Sequence, residues 1–461
     1  MKKKRLVLTA LLALASIVPS AAQYNYTSAE VDGSSHLNSN GPAFVRKWNS
    51  RYSVSVSGNR ICILSHSQFL QTPTSTGPSF PIAYYDLPSA ITPYDVQILD
   101  DSLFFCGQYS NAGQKNAVIG CIPLTTRPNT TTTGLFYRQV PALLSFNKMV
   151  LKRISGRLYV AGFGTEIINN VNRDLIFQIE NLHSPNILLK RMVIDIEDLA
   201  DGIVLYGNGQ AYFMGRTQTP NGSTIWMRNS HVAGITVPNS SIYTKYTFSP
   251  GGYDVNSPLV PVAVDEQTLA LAYVGQSSNG QSCARIRVFN VGSRTNTSSY
   301  EFALLDKYYP LQATVQHGPT NTVTLLQSYT NPMGIPCTDM YSIVLNITTP
   351  SIPIVKTTFS NKTFNAIDET FCLTGSHSSA TLFSGDSWYL INNIATQSLP
   401  HTPGHIPSYC HQRATHSAQN ISNLTTSSAY NPFPTFSLPM GITNTSANTY
   451  QATLTNTCFA L

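Results

Sequence analysis

Carboxylates, aromatic rings and imidazoles are the side chains of this 461-residue chain that could do chemistry, and they are unevenly placed. Asp86, Asp254 and Asp306 fall in or beside polar connecting stretches, accompanied by Tyr253, Tyr308 and Tyr309. Flat rings stack on the apolar faces of sugars while carboxylates accept hydroxyl donors, so this set suits a glycan or a cation. A pair of carboxylates about 5 to 9 Å apart would instead suit glycoside hydrolysis. A second cluster, His401, His405, Cys410, His411 and His416, offers zinc-type ligands. Pro403 and Pro407 deny it a helix that would align those ligands, and a cysteine outside the cell is expected to be oxidised. No metal and no cofactor are therefore assigned. HExxH, GxSxG and P-loop motifs are absent.

The elements that must position these residues repeat. A short hairpin ends on a small residue at Ser65, Gly107, Gly162, Gly215, Gly275, Ser328 and Gly375, at intervals of 42, 55, 53, 60, 53 and 47 residues. Each hairpin has turn chemistry at its centre, as in Asp100-Asp101, Ser155-Gly156 and Gly207-Asn208-Gly209. Runs of apolar and β-branched residues on either side read as buried strands. Third strands are expected at 117–124, 174–179, 223–229, 284–291, 340–347 and 387–394, and fourth strands at 82–87, 135–140, 187–194, 242–248, 300–305 and 354–359. Four strands every 40 to 60 residues predict an all-β fold, a seven-bladed β-propeller. The seventh repeat lacks a fourth strand, and 43–48 resembles one, so it is expected to complete the last blade and close the ring. An eighth blade built from the C-terminal tail is the alternative.

The string LYVAGFG at 158–164 resembles the blade strand of Kelch-type propellers, and the pattern over 52–394 is similar to repeat propellers secreted by Gram-negative bacteria. The Kelch double glycine is absent. The resemblance implies a shape and carries no functional residue with it.

The chain opens with a basic stretch at 1–5, an apolar run at 6–18 and small residues at 20–22, the pattern of a signal peptide over 1–22. A lead-in at 23–42, the propeller at 43–394 and a Ser/Thr/Asn/Pro-rich extension at 395–461 follow. No later run is apolar and long enough for a transmembrane helix. The net charge of +6 includes Lys2, Lys3, Lys4 and Arg5, so the exported chain carries 6 − 4 = +2. A near-neutral surface excludes the basic stripe that nucleic acid requires.

Eight cysteines are an even number for an oxidising compartment. The repeat suggests Cys106 with Cys121, Cys283 with Cys337, Cys62 with Cys372, and Cys410 with Cys458, buried thiols being the alternative. The preferred functional reading is an exported, periplasmic, cell-surface or extracellular binding module. Its partner would be a glycan or a cell-surface protein held on the loop face. A polysaccharide-active enzyme using channel-mouth carboxylates, and an envelope-assembly protein, are the alternatives.

Overall fold

The computed structural model describes residues 27–32, 43–49, 51–65, 79–124, 133–183, 187–219, 222–232, 244–248, 253–255, 257–277, 282–291, 295–303, 310–316, 322–330, 333–344, 353–360, 366–367, 371–374, 377–384, 387–395, 412–417, 419–420, 435–438, 441–445 and 447–459. The described chain is all-β, and its strands pair antiparallel with their sequence neighbours. The clearest meanders are the second (Ile91–Leu99, Ser102–Asn111, Gln114–Pro123, Thr133–Val140), the third (Ser145–Ile154, Arg157–Ile168, Val171–Glu180, Ile187–Val193) and the fourth (Asp198–Leu205, Gln210–Thr219, Gly222–His231, Thr244–Phe248). A fifth (Val260–Ala263, Thr268–Ser277, Ser282–Asn290, Thr295–Ala303) and a sixth (Pro310–Gln316, Thr322–Thr330, Pro336–Val344, Pro353–Ser360) repeat the pattern.

Two-residue turns join many of these strands. Asp100 and Asp101 have φ of 48° and 55°, and Ser155 and Gly156 have 49° and 79°. Positive φ at both central residues gives a turn whose twist matches the strands it joins. Each expected third and fourth strand overlaps a described strand.

The two ends of the repeat differ from expectation. Ala43–Lys47 pairs with Tyr52–Ser57, so it opens the first meander (continuing through Arg60–Ser65 and Ser79–Asp86) instead of completing the last. The first hairpin therefore supplies second and third strands, and its anchor is out of phase with the rest. At the other end, Ala366–Ile367 and Phe371–Thr374 both pair with His377–Ser384, as one interrupted strand and not as a hairpin. The last meander continues through Ser387–Ala395 to Thr27–Asp32, a strand from the opposite end of the chain.

The hydrophobic core lies between meanders. Val54, Ile61, Leu103 and Phe105 pack the first against the second. Phe104, Ile119, Phe146 and Phe177 pack the second against the third. Ala161, Phe163, Phe213 and Trp226 join the third to the fourth, and Tyr212, Met214, Leu271 and Tyr273 join the fourth to the fifth. Both faces of the second, third and fourth sheets are covered, which explains why their second strands read as unbroken apolar runs and do not alternate. Each fully buried large aliphatic side chain contributes about 1.5 to 3 kcal/mol.

The first strands of the meanders neighbour one another in chain order: Ala43–Lys47, Ile91–Leu99, Ser145–Ile154, Asp198–Leu205, Val260–Ala263, Pro310–Gln316 and Ala366–Ile367. The last of these lies beside the first.

Candidate functional site

The first strands carry a bulge at one repeated position. The register shifts between Pro93 and Asp95, between Phe146 and Lys148, and between Ala200 and Gly202. Opposite the start of each bulge stands a glycine: Gly107, Gly164 and Gly215. A Cβ on Gly107 would lie 2.0 Å from the Thr92 carbonyl oxygen, and one on Gly215 would lie 1.8 Å from that of Leu199. The repeated small residue is thus required by a backbone that presses against it. In the third meander the equivalent is Gly164, two residues beyond the expected Gly162.

A bulge re-aims side chains, and here it aims charges along the inner edge. The Arg46 Nη2 donates to Asp95 Oδ1 at 3.1 Å, while its Nε donates to the Val96 carbonyl at 2.9 Å. Asp95 also accepts the amides of Val96 at 2.8 Å and Met149 at 3.0 Å. Lys148 Nζ donates to the Asp201 carbonyl oxygen at 2.8 Å. The Asp201 carboxylate is held by two bonds from Arg216, at 2.8 and 3.1 Å, and by the Leu259 amide. Positive and negative groups therefore alternate across the inner strands of the first to fourth meanders, and the fifth contributes a backbone donor.

Burial sets the titration of this row. It lowers the Lys148 pKa, an effect opposed by Asp95 and Asp201 and reinforced by Arg46. It raises that of Asp201, against the pull of Arg216 and Lys148. Lys148 is surrounded by protein yet keeps partial exposure, as a side chain lining a narrow space does. Beside the row, the buried Arg228 donates to Asp195 at 3.1 Å and stands 3.8 Å from Asp198. Burial lowers its pKa too, while the two acids raise it. These carboxylates are already occupied by guanidinium or amide donors, the arrangement of a clamp between sheets.

Of the expected ligand residues, Asp86 alone has a described side chain. Asp86 is in a two-bond pair with Arg60, at 2.7 and 3.0 Å, and that guanidinium lies over Tyr84. Asp254 lies in Tyr253–Val255, opposite Gln276, and the side chains of both Tyr253 and Asp254 fall outside the described ones. Asp306, Tyr308, Tyr309, His401, His405, Cys410 and His411 lie outside the described residues. His416 stands opposite Ile354 in Gln412–Ser417. Among the described residues no His, Cys, Asp and Glu group could hold a metal.

The expected Cys106–Cys121 disulfide is corrected by register. Cys106 faces Ile119 and Cys121 faces Phe104, so the two are diagonal neighbours, and both are buried thiols. Burial pushes Cys121 up to about 12 and Cys106 well above the usual thiol range. Cys62 is buried as well, and the side chain of Cys372, its expected partner, lies outside the described ones. The extra strand ahead of the first hairpin puts Cys62 on a third strand. The side chains of Cys283, Cys337, Cys372 and Cys458 lie outside the described ones.

Arg46, Asp95 and Lys148 were not picked out from sequence, although a signal exists. Arg46, Asp95, Lys148 and Asp201 recur at 49, 53 and 53 residues, each inside or bordering an apolar run.

No protein-family model matches the chain. No curated protein matches it. Among solved structures, it is similar to Drosophila semaphorin 1b, extracellular domains 1-2, at 8% identity and a TM-score of 0.38, over 79% of this chain and 86% of that one.

Proposed function

We propose that the chain is an exported, non-catalytic, seven-bladed β-propeller that binds a protein through the face made by its second-to-third-strand turns and its inter-sheet connections. The circular order of the first strands supports the ring. One observation carries the ligand reading. Among the described residues the exposed large hydrophobics are Ile167, Val171, Ile196, Leu199 and Met333. Ile167 and Val171 flank the second-to-third-strand turn of the third meander. Ile196 and Leu199 lie at the entry to the fourth, and Met333 lies between Thr322–Thr330 and Pro336–Val344. All five fall on the one face, and exposed apolar groups gathered on a face mark an interaction surface. The clamped state of Asp86, Asp95 and Asp201 favours binding over hydrolysis, since a glycosidase needs carboxylates left open to substrate.

The test places a photo-crosslinking residue at Ile196, and a control at Ser155 on the opposite face, in the protein incubated with envelope fractions of its source cells. A saturable protein adduct at 196 but not at 155, lost in Ile167→Asp, is the expected result. A glycan-array signal that Ile167→Asp leaves intact, with no adduct, would move the ligand to the carbohydrate class. Equal adducts at both positions would remove the loop face from the account.

A further inference from the structure

The C-terminal segment visits the outer edges of the sheets in reverse order. Gln412–Ser417 pairs with Pro353–Ser360 of the sixth meander, and Gln419–Asn420 with Thr295–Ala303 of the fifth. Thr435–Leu438 pairs with Ile187–Val193 of the third, and Gly441–Thr445 with Thr133–Val140 of the second. Ala447–Phe459 then pairs with Ser79–Asp86 of the first on one side and with Thr27–Asp32 of the last on the other. Every one of these pairings is antiparallel and adds a strand outside a fourth strand.

A fourth strand without such a neighbour presents a row of backbone donors and acceptors, a template for any extended chain. We propose that Gln412–Ser417, Gln419–Asn420, Thr435–Leu438, Gly441–Thr445 and Ala447–Phe459 form a belt that keeps the protein monomeric, by filling edges that would otherwise dock the same strands of a second copy. That occupant follows from the register: the segment already fits these edges over consecutive residue pairs, from Ala447 opposite Tyr85 to Thr453 opposite Ser79. The attachment is through the main chain, so a second copy supplies an equivalent set of bonds.

The test uses the full-length protein with Ile442→Pro, Thr443→Pro, Gln451→Pro and Ala452→Pro. Successive amides along a strand point to opposite sides, so each adjacent proline pair removes a donor facing the sheet. Hydrogen exchange is expected to speed up by about tenfold in Ser79–Asp86 and Thr133–Val140, with Ser145–Ile154 still protected. A peptide of unaltered sequence spanning 441–459, the segment a second copy would supply, should then bind the variant saturably and leave the unaltered protein unbound. Faster exchange without any binding of the peptide would overturn docking by a second copy. Unchanged exchange would overturn the belt. Should the variant unfold throughout, the unaltered protein decides: amides of 441–459 exchanging like an unstructured peptide would sink the proposal, and protection shared with the outer strands would uphold it.

Discussion

The inner and outer edges of the sheets are held by different means. At the inner edge, side chains decide: a glycine admits a carbonyl, a bulge turns a charged residue, and the next strand supplies its counter-charge. At the outer edge, the backbone decides, because the pairing strands are joined by main-chain bonds that many sequences can make. Side-chain specification is intolerant of substitution and leaves a trace in the sequence. Backbone specification tolerates substitution and leaves little.

That contrast is sharpest at the ion pairs. Arg216→Ala leaves the buried Asp201 carboxylate without its main partner and is expected to cost about 3 kcal/mol or more, read as a shift in the urea midpoint. Next comes the paired comparison of glycines. Gly215→Ala drives a methyl group into the Leu199 carbonyl and Trp226, an overpacking that costs roughly 2 to 3 kcal/mol. Gly134→Ala on an outer strand meets nothing within 4 Å and should change stability by about 0.5 kcal/mol or less. Equal losses at the two glycines would erase the distinction between the edges.

A smaller effect depends on pH. Because the folded-state pKa of Lys148 is lowered, its burial penalty is fully present below that value. The penalty disappears as pH rises towards the ordinary lysine range, so this group makes the fold more stable with rising pH. Lys148→Met should flatten the alkaline rise relative to wild type, seen as a difference between their midpoints that changes between neutral and alkaline buffer. The smallest expected effect on stability is that of Ile196→Asp on the loop face, about 0.5 kcal/mol or less, since the side chain is already 72% exposed.

The strands were legible because internal sheets, covered on both faces, write their second strands as apolar runs that follow turn residues, as in Ser155-Gly156 and Leu158 to Ala161. The anchor glycine was legible, but not its cause, since a bulge depends on the strand opposite. The Cys106–Cys121 pairing failed on parity. Asn111 faces Gln114, so opposed residues in that hairpin sum to 225, whereas Cys106 and Cys121 sum to 227. The closing strand was misassigned because 43–48 has the composition of a fourth strand, while the strand that meets the last sheet, Thr27–Asp32, is polar. The tail strands were hidden for the same reason. Ser, Thr and Asn do not advertise a strand whose bonds are made by its backbone.

Thr27–Asp32 sits between Ser387–Ala395 and Ala447–Phe459, with Ser28 opposite both Ile391 and Cys458. The partners of that last pair are 458 − 28 = 430 residues apart. A chain made from its N-terminus therefore holds its first strand in waiting until nearly the whole polypeptide has followed. Contacts of such sequence separation slow folding, because the loop entropy is lost before any bond is gained. The individual sheets close over short sequence separations, whereas the joint between first and last closes only over nearly the whole chain.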